Sequence, residues 1–141
     1  MARASLMQEL HLEMKNETGA LARVVSALSR AGVSITHLLA YSEEKQGHLQ
    51  TVTADAAKAK AALERALPNV QVELREVVVV EFENKVGTLA PVTKLLGNHD
   101  IFIHYGYGTS GDGFKIVGVF STADNARAAQ LINETRERSE V

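Results

Sequence analysis

The chain has 141 residues, 45% of them hydrophobic and 23% charged, a globular composition long enough to bury about 70% of its extended surface in one ordinary domain or two very small ones. A formal charge of −2 supplies no basic excess for nucleic acid or an acidic membrane surface, and the absence of cysteine excludes disulfides, thiolate zinc sites and cysteine nucleophiles. Residues Met1 to Gln8 lack the apolar core of a secretory signal, and the longest purely aliphatic run, Val77 to Val80, is far too short to span a bilayer, so a cytoplasmic protein with no membrane partner is expected.

Taken in chain order, Leu10, Leu12 and Met14 alternate with His11 and Glu13, the pattern of a half-buried strand. After Gly19, residues Leu21, Val24, Val25 and Leu28 fall at i, i+3, i+4 and i+7, one apolar face of a helix that Gly32 ends. Two strands follow near Val33–Ala40 and Gly47–Thr53, joined by the polar turn Ser42 to Gln46. Asp55 is placed as the N-cap of a helix carrying Ala59, Leu63, Ala66 and Leu67, which Pro68-Asn69 stops. Val70, Val72 and Leu74 alternate in a fourth strand, completing the β-α-β-β-α-β order of a ferredoxin-like unit.

The remainder repeats this plan. Met14-Lys15-Asn16-Glu17-Thr18-Gly19-Ala20-Leu21 lines up with Phe82-Glu83-Asn84-Lys85-Val86-Gly87-Thr88-Leu89 at a spacing of 68 residues, and Thr53 to Ala59 lines up with Thr122 to Ala128 at 69. The extra residue belongs most cheaply in a hairpin loop. Copy two predicts a strand through Val78, Val80 and Phe82 and a helix face of Leu89, Val92 and Leu96, with Pro91 in its first turn. It continues with strands near Ile101–Tyr107 and Phe114–Ser121, joined by Thr109 to Gly113, and a helix capped by Asp124 that carries Ala128, Leu131 and Ile132. The expected fold is therefore α+β: two tandem ferredoxin-like units, residues 9–75 and 76–135, the second lacking a clear final strand, then a polar tail at 136–141. A sheet edge beside Val77 to Phe82 is left for another chain or for residues Met1 to Glu9 to fill, and the first alternative predicts a homodimer.

The turn Asn-x-x-Gly-x-Leu, present twice between first strand and first helix, is the informative motif. Its glycine permits a positive φ or the close approach of a ligand, and the free N–H groups of the helix start can hold a carboxylate. Equally, the asparagines and glycines can simply shape a turn. With the amphipathic helix, Gly32-Val33-Ser34-Ile35 and the hairpin that follow, the pattern resembles the ACT domain, the amino-acid-sensing module of metabolic regulation, over residues 9 to 132. It is most similar to small stand-alone tandem ACT proteins.

The resemblance implies an effector amino acid bound between two ACT units, with amides from the turn of one unit and backbone groups from the second strand of the other. On this chain the implied ligand-binding residues are Asn16, Glu17, Thr18, Gly19, Ala20 and Leu21, facing Phe102, Ile103, His104 and Tyr105. In the other site Asn84, Lys85, Val86, Gly87, Thr88 and Leu89 face Ser34, Ile35, Thr36 and His37. Serine-sensing members carry a histidine two places before the turn asparagine and an asparagine on the second strand. Met14 and Phe82, Ser34 and Phe102 stand there instead, which implies an effector other than serine. Thr18 and Val86 replace the family's common proline before the glycine.

Three competing signals are weaker. Gly106-Tyr107-Gly108-Thr109-Ser110-Gly111 spells a dinucleotide fingerprint, but it runs on into a strand, not a helix. Histidines His37, His48 and His104 fall on strands without metal-ligand spacing, so no metal is expected. No serine or lysine has a nucleophile's setting, so neither a catalytic residue nor a cofactor is expected. The sequence reads as a non-enzymatic, amino-acid-binding regulator that signals through oligomer or partner association, the partner being a regulated enzyme or regulator. The alternatives are a scaffolding module with degenerate sites and a small ferredoxin-like enzyme.

Overall fold

Period-2 alternation and 3.6-residue periodicity resolve, among the described residues, into six strands and four helices: β1 (Arg3–Lys15), α1 (Ala20–Arg30), β2 (Ile35–Glu43), β3 (Gln46–Thr53), α2 (Ala56–Ala66), β4 (Gln71–Glu83), α3 (Ala90–Asn98), β5 (Ile103–Ser110), β6 (Lys115–Thr122) and α4 (Asn125–Glu140). The computed structural model describes residues 2–110 and 113–140, with side chains in α4 only through Thr135. Part of the expected turn Thr109 to Gly113 and the last residue of the expected polar tail lie outside the described residues. The fold is α+β, with hydrogen-bonded strand order β2-β3-β1-β4-β6-β5. It divides into two compact units, one of Gln8–Arg75 and one of the residues before Gln8 together with Glu76 onward.

In the unit Gln8–Arg75, β1 pairs antiparallel with β3 from Glu9↔Val52 to Lys15↔Gln46, and β2 pairs antiparallel with β3. One face of these strands packs Leu10, Leu12 and Leu49 against Val24 and Leu28 of α1 and Leu63 of α2. Val70, Val72 and Leu74 of the closing strand pack on the same cluster. Asp55 caps α2 as expected, its carboxylate accepting the Lys58 N–H at 3.1 Å. Glu9 is fully buried, and its Oε1 lies 2.6 Å from His11 Nε2, the kind of partner a buried carboxylate requires.

In the other unit, β4 pairs with β6 and β6 with β5, both antiparallel. Val78, Val80 and Phe82 meet Val92, Leu96 and Ile132 in its core. Asp124 caps α4 by accepting the Arg127 N–H at 3.1 Å. The edge beside β4 is filled by the start of β1, where Ala4 joins the core and Ala2 packs against it. Asn133 clamps this segment: its Oδ1 accepts the Ala4 N–H and its Nδ2 donates to the Ala4 carbonyl, each at 2.9 Å. The open edge expected there is closed by the chain itself, so that edge supplies no reason for a second copy.

The glycine run also finds its place. The Phe120 ring lies so close over β5 and β6 that a Cβ on Gly106 would sit 2.7 Å from it, and one on Gly118 2.8 Å. Gly106 and Gly108 are strand residues that admit an aromatic ring and a close backbone, not a phosphate-binding turn.

Asn133→Ala should remove both bonds to Ala4 and leave its buried backbone groups unsatisfied, a loss of about 1–3 kcal/mol in urea denaturation. The Ala4 amide should then exchange with solvent faster than amides of β3.

Candidate functional site

Both copies of the turn adopt one backbone solution. Gly19 and Gly87 sit in the left-handed region at φ +87° and +86°, a conformation that a β-branched residue resists. Ahead of each glycine, the asparagine ties the strand end to the hairpin. Asn16 N donates to the Lys45 carbonyl at 2.9 Å and its Nδ2 to the Glu44 carbonyl at 3.3 Å. Asn84 N donates to Phe114 O and its Nδ2 to Gly113 O, both at 2.9 Å. The ladders keep the 68-residue spacing on β2 and β5 but 69 on β3 and β6, since Ser42↔Gly47 corresponds to Ser110↔Ile116. The extra residue of copy two therefore lies in the hairpin loop.

Past the glycines the two turns diverge. Arg23 N donates to Gly19 O at 3.0 Å, which makes Gly19 the N-cap of α1. Pro91 stands where Arg23 does and has no N–H to offer Gly87, so α3 begins later, with Leu89 as its N-cap. Thr88 supports this longer turn, its Oγ1 donating to the carbonyls of Glu83 at 2.8 Å and Lys85 at 3.1 Å. Glu17 pairs with Arg23 at 2.6 Å, and Lys85 Nζ lies 3.0 Å from Glu83, holding that carboxyl below its ordinary pKa. Val86 is fully exposed. Leu21 and Leu89, read from the sequence as core positions, are 41% and 51% exposed, because the first helical residues project toward the hairpin side of the turn and away from the core.

Around the first turn the unit forms a hollow of about 230 Å³ between Asn16, Ala20 and Leu21 on one side and Tyr41, Ser42 and His48 on the other. The Tyr41 and His48 rings stack at 4.9 Å and 17°. Sequence reading missed Tyr41 and Ser42 and weighed His48 only as a metal ligand. The usable signal was the hairpin register, which returns β3 beside the end of β1.

Ser34, Ile35, Thr36 and His37 lie at the opposite end of β2 from the turn, about 25 Å along an extended strand. Within one unit the turn and second-strand segments are thus not brought together. Each second-strand segment carries a β-bulge at the corresponding place, with Thr36 extra between Ile35 and His37, and His104 extra between Ile103 and Tyr105. In β2 two threonines satisfy the bulge: Thr36 Oγ1 donates to Val52 O at 2.9 Å, and Thr51 Oγ1 to His37 O at 2.8 Å. In β5 the bulge brings Phe102 and His104 ring to ring at 5.4 Å, while Tyr105 and Tyr107 stack at 6.5 Å. Burial lowers the His37 pKa from its ordinary 6.5. Among the described residues no group of three or more His, Asp and Glu is placed to hold a metal ion, and no helix is long and apolar enough to cross a membrane.

An ACT domain is present at residues 9–66, which match the model of that family. In fold the chain is similar to protein BT0572 from Bacteroides thetaiotaomicron, with a TM-score of 0.86 and 22% identity over 94% of this chain and 90% of that one. It is also similar to the regulatory subunit of aspartate kinase from Thermus thermophilus (TM-score 0.67, 14% identity, 92% and 96% coverage) and from Thermus flavus (0.62, 17%, 94% and 95%). Identities this low establish a shared fold. No curated protein matches the sequence.

His37 should titrate below 6.5 in the folded protein, as followed by its ring resonances. The unfolded chain then binds more protons just below that pH, so His37 should make stability fall as pH drops from 6.5 toward its folded pKa. His37→Gln should flatten that slope in denaturation curves measured across the same window.

Proposed function

We propose that this chain is a regulatory amino-acid sensor, not a catalyst, built from two ACT units in tandem at about residues 9–75 and 76–135. The effector sits where the glycine turn of one unit meets the bulged second strand of another, with Asn16 to Leu21 facing Phe102 to Tyr105 and Asn84 to Leu89 facing Ser34 to His37. The single observation that carries this reading is the doubled turn: two glycines at φ +87° and +86°, the first the N-cap of α1 and the second two residues before the N-cap of α3, with Gly19 inside the matched ACT domain. A helix start presents backbone N–H groups and a positive dipole end, the chemistry that holds an α-carboxylate.

The aromatic side of the first site, Phe102, His104 and Tyr105, favours an amino acid larger than serine or glycine. The second site is plainer and opens on the delayed helix start of Pro91, so the two differ in affinity. Because β2 and β5 end the strand order, their outer edges are suited to another copy or a partner, and a homodimer is the simplest form. Effector binding acts by favouring one such association over another. The aspartate kinase regulatory subunits of the same fold support a partner enzyme or regulator as the output.

The competing reading is a scaffold with degenerate sites, and one observation favours it. Asn16 and Asn84 already commit their side-chain amides to hairpin carbonyls.

A thermal-shift screen of the free amino acids decides between them. At about 100 times its dissociation constant, an effector stabilises the native state by about 2.7 kcal/mol, a clear rise in melting temperature. Gly19→Val and Gly87→Val should each cost about 1–3 kcal/mol of stability and remove one site, and the double variant should lose the response. Undiminished binding by both would make the turns only turns and favour the scaffold.

A further inference from the structure

The unit that contains β4 onward holds a pocket of about 340 Å³, floored by the core residues Phe82, Val92 and Ile132 and walled by Leu95 and Ala2. In the unit Gln8–Arg75 the position of the closing strand is taken by Val70, Val72 and Leu74, which pack on the core of that unit. Here the start of β1 supplies Ala2 and Ala4 instead.

The rim is polar and rich in acceptors. Thr88 Oγ1 and Thr135 Oγ1 each donate to main-chain carbonyls, at 2.8 Å to Glu83 and 2.9 Å to Leu131, which turns their oxygen lone pairs toward the role of acceptor. Glu83, whose carboxylate pairs with Lys85, also borders the opening. The hollow in the corresponding place of the other unit, about 560 Å³, is bordered by Lys15, Glu17 and Arg23, a charged rim over a different shape.

We propose that the 340 Å³ pocket, which borders the second turn at Gly87 and Thr88, is a further ligand site that takes a small hydrophobic molecule, aromatic or branched aliphatic, carrying one hydrogen-bond donor. The volume falls at the small end of ligand pockets, about 300–1,000 Å³. The apolar floor takes the body of the ligand, and the Thr88 oxygen takes its donor. The pocket shares Gly87 and Thr88 with the proposed effector turn, while Ala2, Leu95 and Ile132 lie outside it, so filling the pocket tests this site apart from the effector reading.

The test is a titration of the methyl-labelled full chain with indole, an apolar ring with one N–H donor, against indane, of similar shape without the donor. Indole should shift the Val92, Leu95 and Ile132 methyls saturably and leave Val24, in the other unit, unmoved. Indane should bind about threefold to tenfold more weakly, a gap that Thr88→Val should narrow. Ala2→Leu should fill the pocket, raise the melting temperature and abolish the shifts; Leu95→Phe, which fills it from α3, serves if the first variant disturbs β1. Absence of saturable shifts up to the solubility of indole, equal movement of Val24, or undiminished binding in the filled variants would each overturn the proposal. Indane binding as tightly as indole would overturn the role of the rim.

Discussion

Asn16 and Asn84 each give two donors, the main-chain N–H and the side-chain Nδ2, to consecutive carbonyls of the hairpin that returns beside them. With both bonds made, the end of the first strand is fixed against the hairpin before the chain reverses. The reversal then has to be completed within three residues, and a left-handed glycine is the conformation that completes it. Aspartate could not substitute: its carboxylate would face carbonyl oxygens with no hydrogen to share. The position of each helix start, and hence of any ligand held there, follows from this tie.

The tie and the glycine are common to both copies, but Thr88 bonds back to Glu83 where Ala20 has no hydroxyl, and the helical ladder diverges where Pro91 takes the place of Arg23. Arg23 extends the helical ladder back to Gly19, and Pro91 cannot extend it to Gly87. A single missing N–H thereby changes where helical amides begin relative to the turn. Downstream, the bulges keep the same place but not the same chemistry, with threonine hydroxyls in β2 and paired aromatic rings in β5. A duplicated backbone thus carries two sites with unlike walls.

Most of the architecture was legible because it rests on periodicity. The apolar faces of the helices and the alternation of β4 repeat in register, and both capping aspartates were placed correctly from their position alone. What was missed has no side-chain signature of that kind. The start of β1 is a strand whose inward residues Ala2 and Ala4 are too small to raise an apolar signal, although they sit in the core. The bulges at Thr36 and His104 are matters of backbone pairing, visible only once the ladders are drawn. Leu21 and Leu89 misled for the opposite reason: they fit the helical period, but they stand at the very start of each helix and remain 41% and 51% exposed. The turn half of the candidate site was therefore readable as a motif, while Tyr41 and His48, which approach it through strand register, were not.

The closing strand is where the two units differ most in construction. In one, the strand is contiguous with the unit and brings valine and leucine to the core. In the other it comes from the opposite end of the chain and brings alanines, secured by a side-chain clamp from Asn133. Hydrogen bonding makes good the edge in both cases, since main-chain donors and acceptors do not depend on side-chain size. Packing differs in residue size, alanine against valine and leucine, yet a hollow borders the helices in both units. The same substitution of a borrowed strand for a native one thus satisfies the sheet, and what distinguishes the two hollows is their rim, with Lys15, Glu17 and Arg23 around one and Glu83, Thr88 and Pro91 around the other.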